Sequence, residues 1–71
     1  MNTYGLWRSG GDTATIEAKT TYDAVCQFLS GLGIKEKPLY YGGDCFYSRG
    51  PAYYTAQHGD SIKVWRKNDD A

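Results

Sequence analysis

Cys45 and His58 are the residues with which this 71-residue chain could form a nucleophile and base, oriented by Asp44 or Asp60. A thiolate attacks only where a neighbour lowers its pKa or takes its proton, so such a pair needs a built surrounding. No signature segment flanks either residue. His58 reads more simply as the first residue of a hairpin turn, where His tolerates positive φ better than most residues other than glycine. Cys45 reads as a strand thiol, and the chain is expected not to be an enzyme.

Metal and phosphate chemistry are no better served. The two Cys and one His stand 19 and 13 residues apart, which matches no structural zinc spacing and leaves a fourth ligand unnamed. Gly-Gly-Asp occurs at residues 10–12 and 42–44, but neither copy opens a helix or precedes a Lys-Ser/Thr pair, as a phosphate loop would. Both read as turns, and no metal or cofactor is expected.

The residues that could act by recognition are aromatic and basic. In Ser61 to Lys67, Ile62 and Val64 alternate with Lys63, Trp65 and Lys67, so the second set shares one side of a strand. A turn at His58-Gly59 that pairs Gln57 with Asp60 is expected to set Tyr53, Thr55 and Gln57 beside them. Trp7 joins if Tyr4 and Leu6 point inward. Rings bordered by ammonium groups on an open sheet are what single-stranded nucleic-acid binders use to stack bases and follow phosphates. The same rings serve protein interfaces, and a formal charge of zero from 8 basic and 8 acidic residues, with Asp69-Asp70 at the tail, favours protein over phosphate. A second cluster, Tyr40, Tyr41, Phe46, Tyr47, Tyr53 and Tyr54, cannot all turn inward, because adjacent residues of a strand face opposite ways. It forms a candidate contact rim around Gly42 to Pro51.

The elements that must hold these residues are one helix and several strands. Tyr4 to Arg8 and Thr13 to Ala18 flank a glycine-bearing loop and predict a hairpin. Thr20 or Thr21 can cap a helix running to about Leu32, with Asp23 near the positive end of its dipole. Tyr22, Val25, Cys26, Leu29 and Leu32 recur at intervals of 3, 1, 3 and 3 and are expected to form its apolar stripe. Gly31 and Gly33 offer an end, and Pro38 bars continuation. Strand candidates follow at Leu39 to Tyr41 and Cys45 to Ser48, then a closing hairpin of Ala52 to Gln57 and Ser61 to Lys67.

The expectation is a single α+β domain over residues 1–71, in the order β-β-α-β-β-β, with residues 68–71 frayed. Its antiparallel sheet has four to five strands with one helix packed on one face. A chain this short buries only about 60–65% of its unfolded surface, so the core is thin. No run approaches the roughly 18–20 apolar residues of a membrane span, and the first ten residues lack a signal peptide's basic start and apolar core. A cytoplasmic location is expected, with Cys26 and Cys45 as free thiols rather than a bridge.

One helix covers one face. The function expected is a small non-enzymatic module, an adaptor or inhibitor of the kind phages and mobile elements encode, docking on a larger protein or on a second copy of itself. The residues expected to bind are Trp7, Tyr40, Tyr41, Tyr47, Tyr53, Lys63, Trp65 and Lys67. Single-stranded nucleic acid held by Trp65, Tyr53, Lys63 and Lys67, with Trp7 and Arg8, is the alternative.

Overall fold

The computed structural model describes residues 1–40, 42 and 52–67. Their elements run β1 (Asn2–Arg8), β2 (Thr13–Ala18), α1 (Thr21–Gly31), β3 (Leu39–Tyr40), β4 (Ala52–Thr55) and β5 (Asp60–Arg66). The strands form one antiparallel five-stranded sheet in the order β2-β1-β5-β4-β3, so the first strand lies against the last. This is the expected α+β plan. The strand candidate at Cys45 to Ser48 lies outside the described residues, and no described helix is long and apolar enough to cross a membrane.

Local chemistry sets each boundary. Gly10 and Gly11 take φ of 109° and 111° in the β1–β2 loop, a region closed to side chains with a Cβ at little cost. Thr20 caps α1, its hydroxyl accepting from the Asp23 N–H at 3.1 Å, and Asp23 adds a carboxylate in the first turn. The helix ends as the Ile34 N–H reaches back to the Leu29 carbonyl at 2.9 Å with Gly33 at φ 81°.

Helix α1 lies over β2, β1 and β5. Its buried residues are Ala24, Val25, Phe28 and Leu29, a stripe turned from the expected one. Val25 and Leu29 keep their central place, but Tyr22 and Leu32 are exposed and Cys26 is half-buried. Phe28 explains the turn: at 4% exposure it is the largest apolar side chain the helix can bury, and Ala24, one turn earlier on the same row, lets it approach the sheet. Tyr4, Leu6, Ala18, Ile62 and Val64 meet the helix from the sheet, with Ala14, Ile16 and Ile34 at the margin. Cys26 carries a free thiol.

The closing hairpin is longer at its tip than expected. Ala52 pairs with Lys63, Tyr53 with Ile62, Tyr54 with Ser61 and Thr55 with Asp60, leaving a four-residue turn at residues 56–59 instead of two. Gly59 sits at φ 72° and donates its N–H to the Thr55 carbonyl at 2.7 Å. Glu36 steadies the turn from outside, accepting from the Gln57 N–H at 2.6 Å through Oε2 and standing 3.1 Å from His58 Nδ1 through Oε1. His58 is thus the third residue of the turn, not the first.

Arg8 ties this hairpin to the first. Its Nη1 lies 2.6 Å from Asp12 Oδ2, while Nε and Nη2 reach Asp60 Oδ2 at 3.0 and 2.6 Å. Asp60 first, then Asp12, holds the guanidinium above its ordinary pKa.

Two predictions follow from the core. Leu29→Ala should cost about 2–4 kcal/mol through the cavity it leaves, and Gln27→Ala on the exposed side less than about 0.5 kcal/mol. Urea titration compares the two, and equal midpoints would refute the packing. Thr55 is fully buried, and among the described residues its Oγ1 has no hydrogen-bond partner. A buried hydroxyl without a hydrogen bond costs free energy that a methyl of the same shape does not, so Thr55→Val should stabilise the fold by about 1 kcal/mol, read as a raised melting temperature.

Candidate functional site

Which side of the sheet a residue faces follows from the register. Leu6, Ile62 and Val64 are fully buried against the helix side, so Gly5, Trp7, Lys63 and Trp65 project from the other. Among the described residues no element packs on that second side. Cross-strand pairing brings these residues into rows: Thr15, Gly5 and Trp65 in one, and Thr13, Trp7, Lys63 and Ala52 in the next. Thr13, Trp7, Lys63 and Trp65 line a shallow depression of about 270 Å³. Lys67, just past β5, reaches across β1 so that its Nζ lies 3.4 Å from Thr15 Oγ1. The expected grouping of Trp7, Lys63, Trp65 and Lys67 is therefore present in space.

Tyr53 does not belong to it. Opposed residues of an antiparallel pair share a face, and Tyr53 opposes Ile62, which is buried under the helix. Even in the expected register, with Gln57 opposite Asp60, Tyr53 would have met inward-facing Val64, so parity assigns it to the helix side in both. It is 6% exposed, its hydroxyl lies 3.3 Å from Thr21 Oγ1, and its ring stands 6.1 Å from that of Tyr22 and 5.3 Å from that of Tyr40. The same parity removes Thr55 from the open face. Gln57 falls in the turn, and Arg8, opposite Ile62, is committed to Asp12 and Asp60.

The tyrosine rim divides. Tyr40 is 63% exposed and lies edge-on to Tyr53 on the helix side, whereas Tyr54 and Leu39, opposite each other, extend the open face toward β3. Tyr41 and Tyr47 lie outside the described residues, as do Asp44, Cys45 and Phe46. Of the nucleophile, base and orienting set, His58 and Asp60 are described, and each is engaged elsewhere, His58 with Glu36 and Asp60 with Arg8. Among the described residues no three His, Cys, Asp or Glu side chains gather as a metal site would require.

Gly5 is the part of the site that alternation does not reveal. It stands mid-strand, directly opposite Trp65, and a Cβ built there would lie 2.5 Å from Trp65 Cε2 and 2.7 Å from its Nε1. The indole therefore leans across β1 through the space a side chain would occupy. A glycine inside a strand is otherwise a weakness, and one buried beneath a ring marks a close approach. The available signal was this glycine between Tyr4 and Leu6, in a run otherwise suited to a strand.

Gly5→Ala should expel the indole from this seat. In a Trp7→Phe background the Trp65 emission should shift and its near-ultraviolet dichroism weaken, with a stability loss of about 1–3 kcal/mol from overpacking. Unchanged spectra would mean that the ring does not rest on Gly5.

No protein-family model, curated protein or solved structure matches this chain.

Proposed function

We propose that this protein is a non-enzymatic binding module, an adaptor or inhibitor that docks on a larger protein in the cytoplasm through the sheet face opposite the helix. The observation that carries this reading is the gathering of Trp7 and Trp65, from the first and last strands, beside Lys63 and Lys67. Tryptophan joins large apolar area to few rotors, which is why it dominates interface hot spots. The surface that fits is an apolar patch rimmed by carboxylates, with the rings entering the patch and the ammonium groups meeting the rim. Tyr54 and Leu39 extend the contact toward the far edge.

Single-stranded nucleic acid is the weaker reading on this geometry. Tyr53 and Arg8, two members of the expected stacking and phosphate set, face the other way, and Glu17 opposes Thr3 on the same face as the lysines. Lys63 and Lys67 would neutralise only about two phosphates, so counterion release would be small.

Trp65→Ser tests the proposal. The buried residues of β5 are Ile62 and Val64, so the fold should persist by circular dichroism. Affinity for a protein partner, identified by crosslinking in the host and then purified, should fall about thirtyfold or more, the loss of a hot spot worth 2 kcal/mol or more. Unaltered affinity in a folded variant would remove this face as the docking site. Titration with oligothymidylate should leave tryptophan fluorescence unquenched, and strong, salt-sensitive quenching would favour the nucleic-acid reading.

A further inference from the structure

Strand β2 forms one edge of the sheet, and the hydrogen bonds of its neighbour show which of its backbone groups point outward. The Ser9 N–H donates to the Ser61 carbonyl at 2.8 Å and the Lys67 N–H to the Thr3 carbonyl at 2.7 Å, so odd residues of β1 bond toward β5. The Arg8 N–H donates to the Asp12 carbonyl at 2.9 Å, so even residues bond toward β2. By the alternation of an antiparallel ladder, Ala14, Ile16 and Ala18 direct their backbone groups at β1, while Thr13, Thr15 and Glu17 direct theirs away from the sheet.

Edge strands are ordinarily blunted by proline, lysine, a bulge or shortness. The opposite edge, β3, is only two residues long. Strand β2 is six residues long and contains neither proline nor lysine, and its register with β1 runs unbroken from Thr13 to Ala18. Beside it, on the helix side, Ala14, Ile16, Phe28, Gly31 and Leu32 border an open groove of about 240 Å³. Edge and groove are thus adjacent, as an added strand with alternate apolar residues requires.

We propose that this edge pairs antiparallel with β2 of a second copy, across a two-fold axis at Thr15. That register opposes Thr15 with its counterpart and Thr13 with Glu17 of the other chain, and it satisfies every outward N–H and C=O of Thr13, Thr15 and Glu17 in both strands. No like charges meet. On the helix side Ala14 faces the other copy's Ile16, filling the space beside the groove. An axis at Glu17 would oppose two carboxylates, and one at Ile16 would leave the Thr13 groups without a partner inside the strand. Zero net charge puts no long-range repulsion between the copies.

Sedimentation velocity over a concentration series tests this, with Thr15→Pro as the diagnostic variant. Among the described residues no strand lies beside the outward Thr15 N–H, so proline at this edge position should preserve the fold while abolishing the dimer. Trp65→Ser should leave the dimer intact, which separates this edge from the docking face. Hydrogen exchange on the unaltered protein gives a reading independent of any variant: the amides of Thr13, Thr15 and Glu17 should gain protection as concentration rises. The proposal fails if the protein stays monomeric throughout, if folded Thr15→Pro still dimerises, or if those amides exchange freely in a dimeric sample.

Discussion

Strand β1 bonds through its odd residues to the last strand and through its even residues to β2, and this double alternation decides the rest of the molecule. Because β5 lies against β1, Leu6 and Val64 meet under the helix while Gly5 and Trp65 meet on the far side. Reversing the parity of either strand would exchange core for surface along its whole length. The pairing also joins residues nearly a full chain length apart, so among the described strand pairs it carries the largest loop-closure entropy. Arg8 reinforces it where β1 leaves the sheet, holding the β1–β2 loop and the start of β5 to one guanidinium.

Much of this plan was legible in the residues themselves. Thr20 and Asp23 announced the helix start, Gly33 and Pro38 its end, and strict alternation announced β2 and β5. Other features depended on distances the sequence does not display. The expected stripe on α1 left out Phe28, which sets the rotation of the helix because the sheet offers room for a ring. Tyr53 lies on the helix side because opposed residues share a face whatever the turn length, and its partner Ile62 is buried there. Arg8, named as a phosphate contact, is taken up by two carboxylates, one of them 52 positions away in sequence.

The helix and the two proposed surfaces divide the sheet without competing for it. Helix α1 occupies one side of β2, β1 and β5; the indoles occupy the other; the outer rim of β2 belongs to neither. A two-fold axis normal to the sheet would keep both sets of indoles on one side of a continuous ten-stranded surface. Under that arrangement a partner with repeated sites would be held by two weak contacts at once, and tethering would raise avidity without improving either contact.

The seat that Gly5 makes for Trp65 has a consequence for the thermodynamics of recognition. A tryptophan standing free on a strand must give up rotameric freedom when a partner closes over it, and that loss subtracts from affinity. Here the indole already rests against the backbone of a neighbouring strand, its position set by the missing side chain beneath it. The ordering cost is met during folding, when β1 and β5 come together. Binding through this ring should therefore carry a smaller entropic penalty than binding through a tryptophan free to turn on the sheet face.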